Sequence, residues 1–237
     1  MYHTTAPADK TRRWMLRGLA IGVICLAVGR GLQATASAES GASCPDVEVV
    51  FARGTFEAPG IGDTGQAFVD ALNSRLGGSA VDVYAVDYPA SLDFNDAAQG
   101  VIDASNRVES IAATCPHTKI VLGGYSQGAA VAGYTTSDAV PPGYVLPAGL
   151  TGVMPATIAT HVVAVTLFGK PSNGFLNLID RSAPPITIGH LYAGKTLELC
   201  AAGDPVCAGG LDRAAHSAYK DNGMAEQAAE FASNALV

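Results

Sequence analysis

The apolar positions of this chain alternate between continuous runs, typical of buried strands, and the wider spacing typical of helices. The segment from Asp46 to Ala52 is mostly apolar and β-branched, which favours a buried strand. Phe68, Leu72 and Leu76 then recur every four residues, and two glycines end the predicted helix. Predicted strands cover residues 46–52, 81–86, 119–122, 162–168 and 196–199. Predicted helices cover residues 62–76, 101–111, 127–134 and 224–235.

This order of elements predicts an α/β domain with a mostly parallel sheet and helices on both faces. The stretch from Thr135 to Ala159 is richer in proline and glycine and is predicted to be a loop. Nothing like a linker interrupts residues 39–237, so they are predicted to form one domain. With 49% hydrophobic residues and only 15% charged ones, the composition is that of a folded domain with a sizeable core.

Residues 1–38 have the layout of a secretory signal peptide. Arg12, Arg13 and Arg17 precede an apolar run over residues 19–28, and Ala36-Ser37-Ala38 is a small-x-small cleavage pattern. The arginine pair followed by bulky apolar residues resembles a twin-arginine signal. The alternative is an uncleaved anchor, although the run is short for a membrane span. We therefore expect export to the cell envelope or the extracellular space.

The charge balance argues against nucleic acid as a partner. The whole chain has a net charge of −7, and loss of residues 1–38 removes five basic residues and one acidic residue, which leaves −11. No stretch of the remaining chain is basic enough to follow a phosphate backbone.

Cysteine usage agrees with an oxidising compartment. The mature chain keeps Cys44, Cys115, Cys200 and Cys207, an even number that permits three disulfide connectivities. A metal site is the competing interpretation, but the sequence has no CxxC pair with a nearby set of histidines. We expect neither a metal nor another cofactor.

The sharpest chemical signal is Gly124-Tyr125-Ser126-Gln127-Gly128, between a predicted strand and a helix of small residues. This is the context of the G-x-S-x-G elbow, in which a tight turn exposes the serine hydroxyl. The Gln127 backbone N–H, at the start of the helix, would face a developing oxyanion. The sequence therefore predicts Ser126 as a nucleophile; the alternative is an ordinary turn with a capping serine.

A serine nucleophile needs a general base, and in this fold the chain order is serine, acid, histidine. His161 immediately precedes the fourth predicted strand, and His190 lies in a loop before the fifth. His216 follows the fifth strand and leads into the last helix. Chain order therefore favours His216 as the base.

The acid should follow the fifth strand. Asp204 lies there, within residues 200–207, where a disulfide between the flanking cysteines would hold the carboxylate rigidly. Asp212 is the competitor, but it is only four residues from His216, and Asp180 precedes the strand. The other interpretation of Asp204 is a solvated turn residue. Asp204 is the predicted third member of the triad.

These segments together resemble the cutinase family of serine esterases, in particular the mycobacterial cutinase-like proteins. They lie in the same order over nearly the whole mature chain: Cys44-Pro45-Asp46, Phe51-Ala52-Arg53-Gly54-Thr55, Tyr88-Pro89-Ala90, Gly123 to Ala129, Cys200 to Cys207, and His216. The resemblance implies a compact α/β-hydrolase fold with a five-stranded parallel sheet and no large lid. It also implies hydrolysis of carboxylic esters without metal or cofactor.

The resemblance assigns Ser126, Asp204 and His216 to the triad, and Thr55 with Gln127 to the oxyanion hole. We expect disulfides Cys44–Cys115 and Cys200–Cys207. The first would tie the mature N-terminus to the second helix, and the second would close the loop of the acid.

One segment departs from the fungal members of the family. Leu211-Asp212-Arg213 carries two charges beside the expected substrate crevice. Short- and medium-chain acyl esters are therefore expected as substrates, rather than polymeric cutin.

A phospholipase or thioesterase would use the same triad, and a catalytically idle secreted binding protein or antigen is an alternative from another class. We further expect a monomer that contacts lipid surfaces transiently.

Overall fold

The computed structural model describes residues 43–142, 145–146 and 148–236, and over this part of the chain five strands form one sheet. All neighbouring strands are parallel, in the order β2-β1-β3-β4-β5. The strands are β1 (Val47–Ala52), β2 (Val81–Ala85), β3 (Lys119–Tyr125), β4 (Val162–Phe168) and β5 (Thr196–Leu199). The predicted α/β class with a five-stranded parallel sheet is thereby confirmed. The predicted signal peptide, residues 1–38, lies outside the described residues.

Seven α-helices connect the strands or follow them in the described chain. They are α1 (Gly62–Leu76), α2 (Ala97–Thr114), α3 (Gln127–Thr135), α4 (Asn173–Ile179), α5 (His190–Ala193), α6 (Arg213–His216) and α7 (Met224–Leu236). The stretch predicted as loop, 135–159, has a short 3₁₀ helix at its end, Ala156–Thr160, within its described part. The short helices α4, α5 and α6 were not predicted, because segments this short show too little periodicity.

Alternate residues of the central strands fill two cores, one on each face of the sheet. On one face, Phe51 packs against Phe68 of α1 and Phe168 of β4, with ring centroids 6.2 Å apart in both pairs. On the other face, Val50 and Leu122 belong to a core formed with α2 and α3. Each fully buried large apolar side chain stabilises the fold by about 1.5–3 kcal/mol. The sheet is therefore a rigid base for the loops at its carboxyl edge.

The order of the strands determines where those loops can form a crevice. From β1 the chain moves to one side to form β2, and β3 then lies on the other side of β1. In parallel sheets, a crevice opens at the carboxyl ends of the two strands where the order reverses. Here these are β1, which ends at Ala52, and β3, which ends at Tyr125. Their last residues are nearly level, because Ala52 pairs with Gly124.

Two disulfides fix segments outside the sheet. Cys44, which precedes β1, is bonded to Cys115 at the end of α2, with 5.5 Å between their Cα atoms. Cys200 is bonded to Cys207 and closes a loop directly after β5. These pairings are compatible with an extracellular protein.

Among the described residues, no helix combines the length and the apolar character needed to cross a membrane.

Candidate active site

Ser126 lies at the sharp turn between β3 and α3. Its backbone has φ 55° and ψ −117°, a left-handed conformation that is rare for a residue with a side chain. Such a conformation costs about 1–3 kcal/mol and persists only where the surroundings enforce it. Here its N–H donates to the carbonyl of Phe168 on β4, at 2.8 Å. The turn is therefore held in place by the sheet itself.

The two glycines of the elbow are required because backbone passes close to each of them. A Cβ atom on Gly124 would lie 2.1 Å from the carbonyl oxygen of Gly128. A Cβ atom on Gly128 would lie 2.0 Å from the carbonyl oxygen of Ala52, at the end of β1. Backbone cannot move away as a side chain can, so only glycine fits at either position. The sequence pattern thus reflects the close approach of α3 to β1 and β3.

The structure brings Ser126, His216 and Asp204 into one hydrogen-bonded series. His216 Nε2 is 2.9 Å from Ser126 Oγ, and His216 Nδ1 is 2.8 Å from Asp204 Oδ2. Asp204 is fully buried, whereas the His216 side chain is 18% exposed. His216 is the last residue of α6, and Asp204 lies in the loop closed by Cys200 and Cys207.

The competing candidates have other partners. Asp212 is the N-cap of α6, where its Oδ1 accepts the N–H of Ala214. His190 contacts Asp138 through Nδ1 at 2.9 Å, and its side chain is 76% exposed.

Asp180 and His161 also lie outside the hydrogen-bonded series of Ser126. The carboxylate of Asp180 binds Ser182, and His161 precedes β4. Chain order selected His216, which the fold places beside Ser126, and the position between two cysteines selected Asp204, which lies beside His216.

Asp204 is held as a carboxylate by the groups that hydrogen-bond to it. Burial by itself would raise its pKa. Hydrogen bonds from the Tyr219 hydroxyl, from His216 and from the N–H of Val206 outweigh burial, so the pKa lies below its usual value. A charged carboxylate at this point can orient the imidazole and stabilise its protonated form.

Two tyrosines border the histidine, and neither contact was predicted from the sequence. The hydroxyl of Tyr125 donates to the backbone carbonyl of His216 at 2.6 Å, and its ring centroid is 5.2 Å from that of the imidazole. Tyr219, fully buried, donates to Asp204 at 2.5 Å. Gly169 leaves room for this group, because a Cβ atom there would lie 3.1 Å from both His216 and Tyr219. No local pattern marks a tyrosine as the neighbour of a distant aspartate.

The loop after β1 carries Thr55 and lies next to the elbow. Buried Arg53 anchors this loop: its Nη2 donates to the carbonyl of Tyr88 at 2.5 Å, and its Nε donates to the carbonyl of Glu57 at 3.0 Å. The Glu57 carboxylate accepts the N–H of Gly54 at 2.6 Å. Thr55 is therefore flanked on both sides by fixed backbone and is itself partly buried.

Gln127 contributes to the site through both its backbone and its side chain. Its N–H is the first of α3 and so has no acceptor within the helix. Its side chain is buried and donates to the carbonyl of Ser91 at 3.0 Å. That contact ties the loop after β2 to the elbow. The Gln127 N–H is thus available to an anion beside Ser126.

A cavity of about 370 Å³ lies elsewhere, between α2, the end of α3 and residues 139–142, 150–154 and 180–187. Its lining includes none of Thr55, Ser126, Gln127, Asp204 and His216. Within the described residues, no three or more His, Cys, Asp or Glu side chains are grouped so that they could hold a metal.

A serine on a strained strand–helix turn, a histidine and a buried aspartate are the reactive parts of one known class of protein. At the carboxyl edge of a parallel sheet covered on both faces, they define a serine hydrolase of the α/β-hydrolase type. A more particular assignment follows from comparison with known proteins. The cutinase family model matches residues 43–236, and the chain belongs to this family.

Curated mycobacterial proteins are among the relatives. The chain is 48% identical to the carboxylesterase Culp1 of Mycobacterium tuberculosis over 194 residues, which is 81% of this chain and 82% of the relative. It is 54% identical to the probable carboxylesterase Culp5 of the same species over 169 residues, 71% of this chain and 95% of the relative. It is 42% identical to the phospholipase Culp4 over 195 residues, 82% and 80% of the two chains.

Solved structures show the same fold. A Trichoderma reesei cutinase in complex with a phosphonate inhibitor is 32% identical, with a TM-score of 0.61, and the match covers 82% of this chain and 78% of that one. An iodinated complex of acetyl xylan esterase is 27% identical, with a TM-score of 0.67, and the match covers 82% of this chain and all of the other. The chain is therefore an ester hydrolase of the cutinase family.

Proposed function

We propose that this protein is a secreted carboxylic-ester hydrolase that acts on short- and medium-chain acyl esters through Ser126, His216 and Asp204. The observation that carries the proposal is the unbroken series of contacts from Ser126 Oγ through the imidazole to the buried carboxylate. A serine hydroxyl is a weak nucleophile until a base removes its proton, and this series supplies that base in the required orientation.

The proposed reaction has two steps. In the first, Ser126 Oγ attacks the ester carbonyl while His216 Nε2 takes its proton, and the alcohol leaves with that proton. In the second, a water molecule attacks the acyl-serine with the same histidine as base, which releases the acid and regenerates Ser126. Asp204 keeps its charge throughout and stabilises the imidazolium that forms in each step.

The oxyanion of the tetrahedral intermediate is proposed to bind the Gln127 N–H together with the backbone N–H and hydroxyl of Thr55. Negative charge appears on the former carbonyl oxygen only during reaction, so donors already in place lower the barrier most. Support comes from the position of both residues at the carboxyl ends of adjacent strands, β3 and β1. The Arg53 and Glu57 contacts hold the loop that carries Thr55.

We expect Thr55→Val to lower kcat by about 10²-fold or more, because one donor to the oxyanion is lost. KM should change little, since the charge exists only in the transition state. Steady-state kinetics with p-nitrophenyl butyrate measure both constants. Thr55→Ser, which keeps the hydroxyl, is the matched control and should retain most of the activity. Turnover by Thr55→Val at the parent rate would mean that backbone donors alone form the hole.

Three exposed apolar side chains support transient contact with lipid surfaces. Phe56, Leu92 and Leu211 are 74%, 79% and 97% exposed. Phe56 follows Thr55 in the loop after β1, and Leu92 follows Ser91, whose carbonyl accepts the side chain of Gln127, in the loop after β2. Leu211 lies in the loop before α6, the helix that ends at His216. Apolar groups at the mouth of a site are suited to an aggregated or lipid-like ester. Asp212 and Arg213, beside Leu211, favour short and medium acyl chains over polymeric cutin.

A panel of esters tests the function. The proposal predicts the highest kcat/KM for p-nitrophenyl butyrate to octanoate, a lower value for the palmitate, and greater activity on emulsified tributyrin than on the dissolved ester. An alkyl phosphonate should label one residue per molecule, Ser126, as identified by peptide mass. Faster cleavage of phosphatidylcholine or of a thioester would favour those alternatives, of which the relative named phospholipase Culp4 supports the first. The absence of both turnover and labelling would indicate an idle scaffold.

Export directed by residues 1–38 is part of the proposal, and so is a monomeric state. The two disulfides support export to an oxidising compartment. The mass of the protein recovered from culture medium should correspond to a chain that begins at Glu39. A product that retains residues 1–38 would instead favour the membrane anchor.

A further inference from the structure

Three donors bind the Asp204 carboxylate, and two of them share one oxygen. Its Oδ1 accepts the N–H of Val206 at 2.7 Å, while its Oδ2 accepts both His216 Nδ1 and the Tyr219 hydroxyl, at 2.8 and 2.5 Å. The oxygen that faces the imidazole is therefore shared with a phenol. The hydrogen bond from the phenol therefore lowers the negative charge that Oδ2 presents to the imidazole.

The position of Tyr219 is fixed by its surroundings. Its side chain is fully buried, and its ring stands edge-on to the imidazole, with centroids 6.3 Å apart at an interplanar angle of 90°. Its hydroxyl oxygen accepts the N–H of Ala201 at 3.1 Å. The disulfide sulfur of Cys207 is a second possible acceptor, at 3.3 Å, but Asp204 Oδ2 is closer and charged, so the hydroxyl proton is directed to Asp204. The phenol is thus an oriented donor.

The titratable groups around this carboxylate and its neighbours come from four segments. His216 belongs to α6, Tyr219 to the turn after it, and Tyr125 to β3, with Glu57 acting on Tyr125 from the loop after β1. Burial raises the pKa of Tyr219, and its hydrogen bond to Asp204 raises it further, so the phenol remains protonated over the working range of an esterase. Asp204 in turn stays ionised, because the hydrogen bonds it accepts lower its pKa despite burial.

We propose that Tyr219 is a positioning residue of the reaction: it orients the Asp204 carboxylate and, by sharing Oδ2, moderates the charge that this carboxylate presents to His216. The inference rests on the proposed triad. It predicts that loss of the hydroxyl leaves the carboxylate less firmly oriented and its charge more fully directed at the imidazole. Asp204 would then stabilise the imidazolium more strongly, which changes the pH dependence of the reaction.

The test compares Tyr219→Phe with Tyr84→Phe. Tyr84 donates to Asp103 Oδ1 at 3.0 Å, and Asp103 Oδ2 accepts the N–H of Asp87 at 2.8 Å, so a similar tyrosine–carboxylate contact exists on β2, apart from the triad. Each variant loses one phenol donor to a carboxylate. Active sites are counted with a phosphonate, kcat and kcat/KM are measured per site across the pH range, and Tm is recorded.

We expect Tyr219→Phe to lower kcat per titrated site by about tenfold, as for the loss of a hydrogen bond to a charged group. The acidic limb of its kcat/KM profile should move to higher pH, because the carboxylate would stabilise the imidazolium more strongly. Tyr84→Phe should leave both unchanged, whatever happens to its Tm. A Tyr219→Phe enzyme with a lower Tm but the parent kcat per site and the parent limb would overturn the inference, since the hydroxyl would then be purely structural.

Failure of the inference can be told apart from failure of the proposed function. If Ser126→Ala abolishes turnover while Tyr219→Phe behaves like the parent, the triad stands and the role of Tyr219 is wrong. If Ser126→Ala remains active, the triad itself is wrong, and the inference falls with it.

Discussion

Replacing Ser126 with alanine is expected to lower kcat for p-nitrophenyl butyrate by about 10⁴–10⁶-fold. The substitution removes the atom that would form the acyl bond and leaves His216 and Asp204 without a nucleophile to activate. Alanine has the same Cβ atom as serine, so the strain of the left-handed turn persists and Tm should not change. Initial rates at saturating substrate, together with circular dichroism and Tm, measure the two effects separately.

Ser74→Ala is a suitable control for this variant. Ser74 lies on the exposed face of α1, where its hydroxyl donates only to the carbonyl of Asp70, so its loss should leave the rate unchanged. The phosphonate should label the control and fail to label Ser126→Ala. More than a few per cent of the parent rate in a correctly folded Ser126→Ala enzyme would exclude this serine as the nucleophile.

Asp204→Asn is expected to lower kcat by about 10⁴-fold, the second of the two large effects. The amide is nearly isosteric with the carboxylate, so the disulfide-closed loop should keep its shape. However, an amide N–H beside His216 Nδ1 favours the tautomer that carries its proton on Nε2, and that nitrogen then cannot accept the proton of Ser126. The amide also lacks the charge that stabilises the imidazolium. Steady-state kinetics per mole of protein, with circular dichroism as the check on folding, give the loss directly.

Asp212→Asn is the matched control for the acid. Asp212 caps α6, and asparagine is about as good an N-cap as aspartate, so α6 and His216 should keep their positions. We expect near-parent activity. Loss of activity in Asp212→Asn with none in Asp204→Asn would transfer the role of the acid to Asp212.

Much of the fold could be predicted from the sequence because its signals are local. Apolar β-branched runs predicted the central strands β1 and β4 nearly to their observed bounds, since both faces of a central parallel strand are buried. The third strand was predicted to end at Leu122, but β3 continues through two glycines to Tyr125. Phe68 and Leu72, at helical spacing, lie on the buried face of α1 as predicted. The short helices α4 to α6 escaped prediction, because they are positioned by caps and by neighbouring loops rather than by a repeating apolar face.

The candidate site also combines a part that has a local sequence signal with residues that have none. The elbow around Ser126 has a local cause: the backbone approaches Gly124 and Gly128 so closely that glycine must appear at both positions. His216 and Asp204 have no such local mark. The flanking cysteines and the distance from His216 favoured Asp204 over Asp212, and order along the chain favoured His216 over His190. That order is informative because each strand of a parallel sheet returns the chain to the same edge.

What the sequence determined by itself was therefore the alternation of elements, the elbow and the short list of residues that could complete it. Only the tertiary structure decided which atoms meet. The tyrosine at 219 binds Asp204 across 15 residues, and Arg53 fixes the loop of Thr55 through a carbonyl 35 residues away. Such contacts depend on the packing of distant segments, and no periodicity along the chain encodes them. A buried phenol that shares a carboxylate with an imidazole becomes visible only once β5, α6 and the turn after α6 are folded together.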